Sequence, residues 1–116
     1  MRRTDWAVRL AALLSAAETR AFDARHWNCA SFALAAVEAT TGARPQVQIY
    51  PSLAASADSA GFPRIAPAYA CAGDIVLAGD APRLGVVVEA GRAVFVGPKG
   101  LTHAPLTECS IAWRIG

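Results

Sequence analysis

The stretch Arg25-His26-Trp27-Asn28-Cys29-Ala30-Ser31-Phe32 reads as the opening of a helix with a thiol in its first turn. Asn28 suits the N-cap, because its side chain can accept from an amide that the helix itself leaves without a partner. Cys29 then takes the first helical position, where free N–H groups and the helix dipole favour a thiolate over a thiol. That is the setting of a cysteine nucleophile. Downstream, Cys29, Phe32, Ala33, Ala36, Val37 and Thr40 recur at helical spacing, so the helix is expected over Cys29–Thr41. Gly42 stops it and Pro45 lies beyond its end. Upstream, Trp6, Leu10, Leu13, Leu14 and Ala17 form one apolar stripe, with Asp5, Arg9, Glu18 and Arg20 largely elsewhere. A first helix is therefore expected from about Thr4 to Arg20. Met1-Arg2-Arg3 before an alanine- and leucine-rich run imitates a signal peptide, but Asp5 and Arg9 interrupt the run. We read the segment as an amphipathic helix that stays with the chain.

The second half changes character. Residues 46–70 carry Pro51, Pro63 and Pro67 and read as a loop-rich connection, with a short helix over Leu53–Ala60 closed by Gly61. Short apolar runs follow at 73–78, 84–89 and 93–96, the last two joined by a turn at Ala90-Gly91-Arg92. Leu101-Thr102-His103 suggests a fourth strand and residues 110–115 a fifth. Runs so continuously apolar imply either a sheet buried on both faces or a small closed barrel. The order is helices and then strands, which is α+β, in one domain over 1–116: a helical part to 45, the connection at 46–70 and the sheet from 71.

Composition removes several functions. Hydrophobic residues make up 54% and charged residues 17%, the balance of a folded domain and not of a disordered one. A net charge of +2 without any basic run argues against a nucleic-acid reader. No apolar stretch has the length of a membrane span. Cys29, Cys71 and Cys109 make no C-x-x-C pair and do not cluster with His26 or His103, so neither a metal site nor another cofactor is expected. We read Cys71 and Cys109 as small buried hydrophobes.

A helix opened by Cys29, the strand Gly73-Asp74-Ile75-Val76-Leu77 and the strand Leu84-Gly85-Val86 together resemble the NlpC-type cell-wall peptidases. The resemblance implies a papain-like α+β fold, with N-terminal helices packed on a small antiparallel sheet or half-barrel. Closer still are small (pro)phage proteins distantly related to those peptidases. They share an Asp or Asn before the cysteine, matched by Asn28-Cys29, a Thr-Gly matched by Thr41-Gly42, and a terminal Ala112-Trp113-Arg114. This second resemblance implies a protein of the virion tail, assembled in the bacterial cytoplasm, whose partners are tail hub or tip proteins.

By the peptidase pattern, Cys29 is the nucleophile and Arg83 occupies the position of the base. Arginine remains protonated and cannot take the proton of a thiol. The strand that should bring an orienting polar residue, Ala93-Val94-Phe95-Val96, brings none. His103 is the weak candidate for a substitute base, and His26 stands three residues before the cysteine. Trp27, Asn28 and Asp74 are candidate binding residues, although Asp74 after Gly73 also suits a turn and Trp113 suits the core. Arg114 has Asp74 or Glu108 as candidate partners. The expected function is a tail-tip or hub structural or assembly protein with a degenerate peptidase-like fold and no catalysis. The alternative is a cysteine peptidase or amidase that cuts peptidoglycan peptides.

Overall fold

The computed structural model describes all of residues 1–116. Helix α1 (Trp6–Ala17) buries Leu10 and Ala17, with Trp6, Leu13 and Leu14 partly buried against the same core. It is shorter at both ends than its stripe suggests. Asp5 places no side-chain cap on the helix, because its carboxylate is taken by Arg3 (3.0 Å) and Arg9 (2.9 Å). At the other end the Glu18 carbonyl accepts from the Leu101 amide at 3.2 Å, drawing the chain out of the helix toward the sheet. Helix α2 spans Cys29–Thr41 as expected and buries Phe32, Ala33, Ala36, Val37 and Thr40. It ends at Gly42, whose φ of 86° is the left-handed conformation that a glycine adopts without steric cost. The short helix α3 (Leu53–Asp58) is capped by the Ser52 hydroxyl.

Six antiparallel strands form one sheet: β1 (Arg64–Ile65), β2 (Ile75–Ala78), β3 (Arg83–Glu89), β4 (Arg92–Gly97), β5 (Gly100–Pro105) and β6 (Cys109–Trp113). Their order is β1-β6-β2-β3-β4-β5, so the sheet is open and does not close into a barrel. Helix α2 packs between α1 and the β3 region of the sheet. Alternation along the strands divides the interior into two cores. Ile75, Leu77, Leu84, Val86, Val94 and Trp113 face the helices. Val76, Ala78, Val87, Ala93, Phe95 and Ala112 face the other way and meet Ala70 and Leu106. Both faces of β2 and β3 are therefore covered, which is why those strands read as unbroken apolar runs. The second face is closed by 3₁₀ turns at Pro67–Tyr69 and Leu106–Glu108.

Strand β1 and the two 3₁₀ turns lie outside the expected elements, each being only two or three residues long. A correction falls on Cys71, expected buried: it is exposed, in a turn whose backbone is held by Asp74. Cys109 is half-buried and all three thiols are free. No helix is long and apolar enough to cross a membrane.

Candidate functional site

The start of α2 is built from the turn before it. The Asp23 carboxylate accepts from the amides of Arg25 (2.9 Å) and His26 (3.1 Å), and these bonds hold its pKa below the usual value. Asp23 and Trp27 then exchange both backbone hydrogen bonds, each at 2.8 Å. Trp27 is buried, with Arg20 stacked over its ring at 4.2 Å and Phe32 at 5.5 Å. Its indole Nε1 has no hydrogen-bond partner. Asn28 and Ser31 form a reciprocal capping box, with Ser31 N–H donating to Asn28 Oδ1 (2.9 Å) and Asn28 N–H to Ser31 Oγ (2.8 Å). Cys29 is thus held at the first helical position. It is partly buried against the main core, and its Sγ makes no hydrogen bond. The amides of Cys29 and Ala30 are also without acceptors, as first-turn amides are unless a cap or ligand takes them.

The candidate bases lie elsewhere. His26 is exposed and sits 3.4 Å from Asp23 Oδ1. His103 is opposite Val94 on the edge strand β5, on the sheet face that the helices cover. Its Nδ1 contacts Arg92 Nη1, and Arg92 Nε donates to Glu89 at 2.7 Å. Arg83 stacks on Phe95 at 4.7 Å, on the sheet face away from α2. The structure therefore hydrogen-bonds none of His26, His103 and Arg83 to the Cys29 sulfur. No group of three His, Cys, Asp or Glu side chains converges as a metal site would require.

Asp74 is wholly buried and fully engaged. It accepts from Arg2 Nη2 (3.0 Å), Arg114 Nε (3.3 Å) and the amides of Cys71 and Ile115 (both 2.9 Å). Of the two partners open to Arg114, Asp74 is the one it takes. Arg2, unremarked as a functional residue in the sequence, also donates to Ile115 O (2.9 Å) and Ala72 O (2.7 Å) and stacks on Trp6. Nothing local in the sequence links residue 2 to residue 74. Trp113 is in the core, and its Nε1 donates to Asp58 Oδ1 at 2.9 Å.

One family model matches the chain over residues 1–52 and 48–115, nearly its whole length. The chain belongs to DUF6950, a domain of unknown function. No curated protein matches this DUF6950 chain.

Proposed function

We propose that this protein is a structural or assembly component of a phage tail tip or hub, built on a papain-like, NlpC-type scaffold whose cysteine lacks a working base. The observation that carries the second part is the Cys29 sulfur itself, to which none of His26, His103 and Arg83 is hydrogen-bonded. A cysteine dyad needs an imidazole with a free nitrogen to accept the thiol proton, while its other nitrogen donates to an anchor. Here the group against His103 is Arg92, a cation that only donates and so cannot accept from the ring as an anchor must. That is the reverse polarity. Arg83, turned onto Phe95, gives Cys29 neither a base nor a counter-ion. The tail placement rests on the ordered motifs from Asn28-Cys29 to Ala112-Trp113-Arg114.

The test is made on purified virions, with tails separated from heads and their proteins identified by mass spectrometry. The protein is expected in the tail fraction, with Cys29→Ala particles assembling and infecting as the parent does. Its absence from tails at every stage of assembly overturns the tail role. A second reading, a cysteine peptidase or amidase acting on peptidoglycan peptides, is favoured by the free amides of Cys29 and Ala30, which suit a developing oxyanion. Loss of cell-wall clearing in a folded Cys29→Ala protein would establish it.

A further inference from the structure

Residues 46–50, between α2 and α3, belong to no helix or strand, and only every second one has its backbone groups paired within the protein. The Gln48 amide donates to Ser59 Oγ and the Tyr50 amide to Ser56 Oγ, both at 2.8 Å. The same hydroxyls lie 3.3 Å from the carbonyl oxygens of Gln48 and Tyr50. Two serines thus stand in for a neighbouring strand. Pairing at every second residue is the pattern of an extended chain, whose successive peptide groups face opposite sides, and it turns the Val47 and Ile49 groups away from the serines. The N–H and C=O of both residues have no hydrogen-bond partner in the protein. Ile49 is 88% exposed, an unusual cost for a large aliphatic side chain beside unpaired backbone groups.

Val47 and Ile49 also line a cavity of about 500 Å³ whose walls include Leu34, Phe62, Leu84 and Trp113. This volume is in the range of pockets that take a specific ligand. Arg44 is its one charged lining residue, and the nearest carboxylate, Glu38, is 4.0 Å away with both side chains more than half exposed. Such a pair holds its arginine weakly.

We propose that this edge receives an extended segment of a partner protein as an added strand, with one apolar side chain in the cavity and an acidic residue against Arg44. Backbone groups free at a two-residue spacing call for another main chain with the same spacing. A lipid or small apolar ligand fills the cavity but leaves those four groups unpaired. A second copy pairing through residues 46–50 brings no acidic side chain to Arg44, because the segment contains none. The proposal names a partner class for the docking role above and rests on the protein acting by binding, not on its place in a tail.

The test is a ¹⁵N NMR titration of the full chain with a blocked heptapeptide alternating threonine with leucine or valine and carrying one glutamate. The Val47 and Ile49 amides are expected to shift downfield and gain exchange protection. Replacing the central leucine by alanine weakens binding by about tenfold. Ile49→Pro removes an N–H that is unpaired in the free protein and weakens binding by about tenfold, with its Tm measured beside the parent's to show that it folds. An ester in place of the matching peptide amide does the same on the ligand side, independently of any variant. Unmoved Val47 and Ile49 resonances at millimolar peptide, or equal binding by Ile49→Pro, overturns the proposal. So does a doubled mass in light scattering that disappears with Ile49→Pro, since a second copy then occupies the edge. Virion localisation is a separate measurement, so either reading can fail alone.

Discussion

At the residue scale, the three thiols differ in surroundings and should differ in chemistry. Burial pushes the Cys109 thiol up from its ordinary pKa, Glu108 adds to the shift and Arg83 opposes it. Cys71 is exposed. Iodoacetamide at neutral pH is therefore expected to label Cys71 faster than Cys109, as read by peptide mass spectrometry over time. Cys29, with no base at its sulfur, is expected to label no faster than Cys71. Rapid labelling confined to Cys29 would falsify the scaffold reading. Asp58 supplies a second residue-scale case. Hydrogen bonds from Arg64 and Trp113 hold its carboxyl at about 2, against an ordinary 3.8. A depressed carboxylate pKa gives stability that is complete above the unfolded value and lost as pH falls through the folded one. The Tm gap between the parent protein and Asp58→Asn should be constant from neutral pH to about 4 and shrink between there and about 2.

At the scale of elements, α2 rests on its first turn and β3 on a missing side chain. Asn28→Ala removes the cap acceptor and breaks the capping box, and should cost about 1 kcal/mol in denaturant unfolding. Gly85 has no such substitute. A Cβ there would sit 2.4 Å from the Phe95 ring, so Gly85→Ala must displace a fully buried aromatic. The expected loss is about 1–3 kcal/mol, and Phe95→Leu in the same chain should recover part of it. An unchanged midpoint for Gly85→Ala would mean that the second core yields more easily than its packing suggests. The Leu84-Gly85-Val86 pattern, which also supports the peptidase resemblance, is thus accounted for locally by the approach of Phe95.

At the scale of the whole molecule, Asp74 joins parts that are far apart in sequence. Through Arg2, Arg114, Cys71 and Ile115 it ties the first residues of the chain to the last, across the turn that leads into β2. Removing a buried carboxylate leaves two guanidinium groups and two amides without their acceptor. Asp74→Ala is expected to cost about 3–5 kcal/mol. Arg2→Ala should be less severe, and in a double-mutant cycle the two losses should fall short of additivity, because they remove members of one network. Additive losses would show that the ends of the chain are held independently of the carboxylate.

The sequence alone determined the three α-helices and five of the six strands along the chain, because these depend on spacing within a few residues. The cap at Asn28, the stop at Gly42, the stripe from Trp6 to Ala17 and the β3–β4 hairpin all rest on local geometry. It also determined that Cys29 opens a helix. Tertiary structure decided which groups stand beside that thiol. Strand alternation turned Arg83 onto Phe95, pairing with β4 delivered His103 to Arg92, and the closing of the two ends gave Asp74 to Arg2. It decided as well that Val47 and Ile49 keep their backbone groups free, since that depends on two serines, eleven residues beyond Gln48 and six beyond Tyr50. Contacts set by register and chain reversal leave no periodic trace, and the chemistry of the site is made of such contacts.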